Sequence, residues 1–325
     1  MRVLINGCGR IGRTVLRAWA EGAGWPDLRI VALNDIAPAE TLAYLLEYDS
    51  VFGPLRGGVT LGEGRLELAG QRLRLTRAAD LAALDLRDID LVMDCTGRAE
   101  TRGFATAGLR AGAGRVLISG PSAAADATIV LGANDALLGD QKVISNASCT
   151  TNALAPLARS LDQAFGLVTG WMTTIHCYTG SQPTVDAPRG ADLARSRAAA
   201  LSMVPTTTSA GRLLDTVLPE LAGRLSCAAV RVPVASVSAV DLTFQPGRAV
   251  SEAEVNAALA QAGGVIGWTD RPLVSSDLRA RPESVVMALP ETRVTAGGLV
   301  RVFGWYDNEW GFSCRMLDMA QRMGR

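Results

Sequence analysis

Apolar and polar positions follow two different patterns along the chain. In the first 148 residues, short apolar runs at 2–5, 29–33, 90–94, 115–119, 128–131 and 142–145 read as strands. Between them, Ile11, Val15, Leu16 and Trp19 fall on one helical face of 11–21, and 104–113 is also helix-like. Strand and helix in turn predict a parallel α/β sheet. The stretch 51–75, punctuated by Gly57, Gly58, Gly62 and Gly64, reads as an inserted hairpin.

The pattern changes near residue 149. A helix over 152–165, with Leu154, Leu157, Leu161 and Phe165 on its apolar face, precedes long strand candidates at 168–177, 227–234, 236–244 and 300–306. A polar loop covers 178–196. Ser251 and Glu254 form a plausible capping box for a helix reaching Gln261, and 309–323 is helical in pattern. The second half is therefore expected to be α+β with a mostly antiparallel sheet. No internal repeat or low-complexity segment interrupts this scheme.

Composition narrows the class. A length of 325 residues suggests about two domains, and 48% apolar with 20% charged residues is ordinary for a globular protein. Lys plus Arg and Asp plus Glu both number 32, so no bulk charge draws the chain to nucleic acid or a membrane surface. No stretch approaches the roughly 18–20 apolar residues of a membrane helix. Met1 leads straight into the first strand without a signal-like segment. The six cysteines are scattered and form no C-x-x-C pair, so a cytoplasmic location is expected. A single histidine excludes a zinc site built from several imidazoles, and no metal is expected.

Three groups of residues carry chemistry. Gly7-Cys8-Gly9-Arg10-Ile11-Gly12 matches G-x-G-x-x-G, directly after the first strand and opening the first helix. Glycines there permit a tight turn and let backbone N–H groups meet a pyrophosphate at the helix N-terminus. Asp35 ends the second strand, where a carboxylate holds a ribose 2′-hydroxyl and repels a 2′-phosphate, which favours NAD over NADP. A glycine-rich structural turn beside a surface aspartate is the plainer alternative. The order of strand, turn, helix, strand and acid argues against it.

Cys149 lies within Ser148-Cys149-Thr150-Thr151-Asn152, at the foot of a predicted helix whose dipole favours the thiolate. A lone cysteine there is more often structural. His176 changes that balance, because it ends an apolar strand candidate beside the polar loop. If the protein uses an imidazole base, it can only be His176. Thr179, Arg195, Arg197, Thr206, Thr207, Thr208 and Arg231 are of the types that clamp phosphates. Arg231 stands out because it lies inside an apolar run, where an unpaired charge is costly.

With these residues in view, the chain resembles the phosphorylating glyceraldehyde-3-phosphate dehydrogenase family along essentially its whole length. The stretches that carry the resemblance are INGCGRIGR from Ile5, SNASCTTN from Ser145, TTIHCYT from Thr173, AAALSMVPTTT from Ala198, RVP from Arg231 and WYDNEWG from Trp305. The resemblance implies an NAD-binding Rossmann-type domain over 1–148, completed by a C-terminal helix at 309–325, and a catalytic domain over 149–308. It implies a homotetramer, with the loop from Tyr178 to about Ala200 approaching a neighbouring subunit's cofactor.

By the same resemblance Gly7, Gly9, Arg10, Ile11 and Gly12 meet the pyrophosphate, and Asp35 and Arg77 serve the adenosine half. Thr96 and Ser119 lie along the cofactor, and Asn308 binds the nicotinamide carboxamide. Thr179 and Arg231 would hold the substrate phosphate. Ser148, Arg195 and Thr208 would serve inorganic phosphate, with Thr150 and Ser209 beside them in the substrate set. The implied reaction is NAD-dependent oxidation of D-glyceraldehyde 3-phosphate to 1,3-bisphosphoglycerate. Cys149 forms the thioester, and His176 is the base.

The chain departs from the family pattern at several points. Gly180-Ser181 replaces a usual Asn-Asp, Ser209 and Gly120 replace a glycine and an alanine, and Ala194 reduces a double arginine. Gly97-Arg98-Ala99-Glu100 stands where an aromatic often flanks the adenine, and Phe312 replaces a tyrosine. These leave two rivals. One is erythrose-4-phosphate dehydrogenase, whose thioester ends with water. The other is a non-catalytic paralogue that only binds a dinucleotide, against which intact Cys149, His176 and Arg231 argue.

Overall fold

The computed structural model describes residues 1–22, 24–189 and 192–324. The predicted loop 178–196 thus includes residues 190 and 191, and the predicted C-terminal helix includes residue 325, which lie outside the described residues. The chain divides into two compact units. The first holds Met1–Ile129, Asp135–Ala147 and the chain from Phe312 on; the second holds Val130–Asn134 and Ser148–Gly311.

The first unit is built on a nine-stranded sheet. Its order is Ala127–Thr128, Val143–Ser145, Arg115–Ile118, Leu91–Asp94, Arg2–Asn6, Arg29–Asn34, Gln71–Thr76, Arg65–Leu68 and Val59–Gly62. The first seven pair in parallel. Leu91–Asp94 is buried throughout, which explains its unbroken apolar run: a parallel strand is covered on both faces. Helix Arg10–Glu21 buries Val15, Leu16 and Ala18, and also Arg17, whose guanidinium donates to the carbonyls of Leu46 and Gly53.

The stretch expected as one hairpin forms three antiparallel strands, the last joining Arg29–Asn34 in parallel. The second turn is Ala69–Gly70, both residues at positive φ, which gives a tight two-residue reversal. A helix at Ala39–Glu47 has no counterpart among the sequence-based expectations. The helix expected at 104–113 is two short pieces, Arg102–Ala105 and Ala107–Arg110, broken at Thr106 between Gly103 and Gly108. The strand expected at 128–131 ends at Thr128. Beyond it the Val130 N–H is taken by the Asn134 side chain.

The second unit carries an eight-stranded mixed sheet, mostly antiparallel. The order is Val204–Thr206, Leu225–Val232, Leu167–Cys177, Ser238–Pro246, Val300–Tyr306, Val285–Ala288 and Ile266–Thr269, with Arg293–Val294 also paired to Val300–Tyr306. Leu225–Val232 runs parallel to Leu167–Cys177, as Ile266–Thr269 does to Val285–Ala288. Helix Cys149–Phe165 begins three residues before its expected start, because Ser148 is the N-cap and accepts from the Thr151 N–H at 3.1 Å. Leu154, Leu157, Leu161 and Phe165 are all buried. Helix Glu252–Gln261 opens with the expected capping box. Helix Ala210–Val217 had no sequence-based expectation.

Candidate active site

In the second unit the register of two parallel strands sets the site. His176 stands opposite Arg231, and Cys177 opposite Val232. Cys149 occupies the first position of helix Cys149–Phe165, with its sulfur 3.7 Å from His176 Nε2. His176 Nδ1 lies 2.7 Å from the Cys177 carbonyl oxygen, to which Arg231 Nη1 donates at 3.0 Å. Two groups meet at Nδ1: the Cys177 carbonyl oxygen asks for a proton there, while Arg231 Nη1, a donor only, asks for the lone pair. The tautomer protonated on Nδ1 is the one that leaves the Nε2 lone pair facing the thiol. Arg231 Nη1 is also 2.5 Å from Nδ1.

The electrostatics follow from burial. His176 is pushed down to about 4, first by burial and then by the Arg231 charge, so it is a neutral imidazole at neutral pH. Burial raises the Cys149 thiol, against the opposing pull of Arg231, the Thr150 hydroxyl and the backbone N–H groups of Thr150 and Cys149. The helix start thus favours the thiolate as expected, but desolvation outweighs it. The resting pair is neutral thiol and neutral imidazole. Cys177 is pushed up to about 12 and Cys227 to about 11 by burial, so neither competes as a nucleophile.

Sequence reasoning missed several supporting groups. The Tyr306 hydroxyl sits between Thr150 Oγ1 at 2.9 Å and Thr174 Oγ1 at 2.8 Å, and its ring meets His176 edge-on at 6.0 Å. Thr174 and His176 are two apart on one strand and share a face, a spacing visible in the sequence. Tyr306 ends an apolar strand, where a buried phenol needs a partner. Asn308 is buried, and its Oδ1 accepts from Cys177 Sγ and Ser238 Oγ, each at 3.1 Å.

The expected phosphate groups are held less uniformly. Arg195 Nε donates to Thr206 Oγ1 at 2.8 Å and pairs with Asp192 at 3.3 Å. Arg197 pairs with Asp186. Val204–Thr206 is the strand beside Arg231, so Thr206 and Arg231 lie on neighbouring strands. Thr179 Oγ1 is 2.9 Å from Ser181 Oγ. Thr208 accepts from the Ala210 N–H, Ser209 is the N-cap residue of Ala210–Val217, and Ser148 is committed to capping.

The first unit carries a separate set. Gly7 has φ +90°, and an added Cβ would lie 2.9 Å from the Cys95 backbone. At Gly12 a Cβ would lie 2.0 Å from the Gly7 carbonyl oxygen, so only glycine lets the helix approach the strand this closely. Gly9 caps the helix with no side-chain bond, and open space surrounds its missing Cβ. A cavity of about 270 Å³ opens here, lined by Gly7, Gly9, Asp35, Thr96 and Arg98 among others. The Asp35 carboxylate accepts from the N–H groups of Cys8 at 2.6 Å and Ala37 at 2.8 Å. Arg98 stacks over Phe104 at 4.8 Å on the cavity wall, where the sequence lacks the usual aromatic.

The remaining cofactor candidates surround this frame. Thr96 Oγ1 donates to Asp94 at 2.6 Å, and the Ser119 N–H to the Asp94 carbonyl. Arg77 donates to the Ile36 carbonyl at 3.0 Å. Ile11 is half-buried in the first turn of the helix. The Arg10 side chain pairs with Asp49 and stacks on Phe52, while its backbone opens the first turn of the helix. The glycine cradle, exposed helix N-terminus and adjacent carboxylate fit a dinucleotide.

Residues 1–102 match the family described as glyceraldehyde 3-phosphate dehydrogenase, NAD binding domain, and residues 148–308 match its C-terminal domain. Curated relatives include proteins named glyceraldehyde-3-phosphate dehydrogenase from Cereibacter sphaeroides, 49% identical over 100% of this chain and 99% of the relative, and from Xanthobacter flavus, 46% over the same shares. A protein of that name from Pseudomonas aeruginosa is 46% identical over 98% of this chain and 97% of its own.

Proposed function

The chain belongs to the glyceraldehyde-3-phosphate dehydrogenase family, as an NAD-dependent oxidoreductase, and from that premise we propose that it oxidises D-glyceraldehyde 3-phosphate to 1,3-bisphosphoglycerate through a Cys149 thioester. The observation that carries this reading is the Cys149–His176 pair at 3.7 Å with Arg231 beside it. Residues 1–148 with 309–325 form the NAD-binding domain and 149–308 the catalytic domain.

His176 Nε2 accepts the thiol proton as Cys149 sulfur bonds to the aldehyde carbon. The resulting imidazolium and the Cys149 backbone N–H stabilise the oxygen, which takes the proton back to give a hemithioacetal. His176 then removes the hydroxyl proton, which lets the C–H electron pair leave as hydride. NAD, for whose adenosine and pyrophosphate part Gly7, Gly9, Gly12 and Asp35 are assigned and for whose nicotinamide carboxamide Asn308 is assigned, would supply the hydride acceptor when bound. A phosphate oxygen attacks the thioester carbonyl, the C–S bond breaks, and Cys149 is released with an acyl phosphate.

Arg231 and Thr179 hold the substrate phosphate, and Arg195 with Thr206 and Thr208 holds the inorganic phosphate. The Arg195 guanidinium, shared with Asp192, is joined to the Thr206 hydroxyl on the strand beside Arg231, and this pairing of cation and hydroxyl supports phosphate over water as the final nucleophile. The protein acts as a homotetramer in the cytoplasm. Exposed Val185, Leu193, Leu201 and Met203 on and beside the 178–200 loop support subunit contacts, and six free cysteines support a reducing setting.

NADH formation from glyceraldehyde 3-phosphate, with and without inorganic phosphate and beside erythrose 4-phosphate, tests this. Phosphate-dependent turnover of the triose is expected. Phosphate-independent turnover, or preference for the tetrose, would mean a water-terminated thioester.

A further inference from the structure

Cys177 and Ser238 are buried and sit behind Asn308, and neither enters the chemistry above. Two groups converge on one atom of the Asn308 side chain: Cys177 Sγ and Ser238 Oγ each lie 3.1 Å from Oδ1. An atom receiving two donors must be the carboxamide oxygen, so the amide cannot flip. The Ser238 hydroxyl is itself fixed, because it accepts from the Cys177 N–H at 3.2 Å and so has its proton free for Asn308. Burial keeps the Cys177 thiol protonated, pushed up to about 12, so it serves as a donor at neutral pH. Among the described residues Asn308 Nδ2 has no hydrogen-bond partner.

We infer that Cys177 and Ser238 are positioning residues that lock the Asn308 amide with its NH2 group outward, committing it to an acceptor oxygen on the ligand. On the reading above, which assigns Asn308 to the nicotinamide carboxamide, that acceptor is the carboxamide oxygen. The pair thus sets affinity for the nicotinamide end of NAD without touching it. A hydroxyl at 177 would do the same work as the thiol; a methyl would not.

Calorimetric titration with NAD and with ADP-ribose, which lacks the nicotinamide, separates this from general packing. Cys177→Ala and Ser238→Ala are each expected to weaken NAD about fivefold, the scale of one modest hydrogen bond, and to leave ADP-ribose affinity unchanged. Cys177→Ser is expected to restore NAD affinity. Equal weakening of both ligands, or of neither, overturns the proposal, as does failure of Cys177→Ser to restore it. Asn308→Ala distinguishes the layers. If it weakens NAD while the Cys177 and Ser238 variants do not, the locking role alone fails. If it leaves NAD unchanged, the assignment of Asn308 fails and takes the proposal with it.

Discussion

The two units build their candidate sites from different materials. In the first, the cavity is shaped by glycines and backbone groups: Gly12 admits a carbonyl at 2.0 Å from where a Cβ would stand, and Asp35 folds back on the Cys8 N–H. In the second, side chains from three separated segments converge, with Cys149 on a helix and His176 and Arg231 on paired strands. Shape made by backbone depends on the glycines that permit it, and side chains such as Arg98, stacked on Phe104, only line its wall. Chemistry made by side chains depends on a buried electrostatic balance, in which burial keeps Cys149 and His176 neutral and the Arg231 charge acts on both.

The sharpest way to break this contrast is Cys149→Ser, which should abolish turnover while NAD affinity by titration stays within error. Residual activity near wild type would remove Cys149 as nucleophile. His176→Asn comes next, with an expected loss of roughly 10²–10⁴-fold in kcat/KM, the usual scale for an acid–base group. An unchanged rate would point to another base. Gly12→Ala should weaken NAD binding by roughly 100-fold through backbone displacement, while alkylation of Cys149 proceeds at the wild-type rate. A variant that binds NAD normally would show that the cradle is not set by that close approach.

Smaller effects sharpen the electrostatic side. His176 is held at about 4, against 6.5 when exposed, so its contribution to stability is present above pH 6.5 and is lost as pH falls from 6.5 to 4. That amounts to ~3 kcal/mol, and the stability–pH curve of His176→Asn should be flatter by this amount in that window. Matching curves would mean that the imidazole charges freely. Tyr306→Phe leaves Thr150 and Thr174 without their shared partner and should cost ~1–3 kcal/mol in denaturant unfolding.

The contrast also explains what the sequence disclosed. Local spacing encodes the glycine turn, the Ser251–Glu254 capping box and the strand Val300–Tyr306, so these read directly from the chain. The three-strand meander at 59–76 reads as one hairpin because its second turn opens on Ala69, a non-glycine at positive φ, and only the single Gly70 marks it. Cys149 and His176 could be picked out singly, but their 3.7 Å approach depends on strand register and tertiary packing. The raised Cys149 thiol was not foreseeable either, because the helix start predicts the opposite sign and burial belongs to the folded chain. Tyr306 and Ser238 escaped because a hydroxyl in an apolar strand reveals no partner until the fold supplies one.

The central claim is a covalent acyl group on Cys149. It is tested most directly by intact and peptide mass measurement after mixing the protein with glyceraldehyde 3-phosphate and NAD in the absence of inorganic phosphate. A 3-phosphoglyceroyl adduct on the Cys149 peptide that disappears when phosphate is added is the predicted result. An unmodified chain alongside NADH formation, or an adduct on Cys177, would contradict the account.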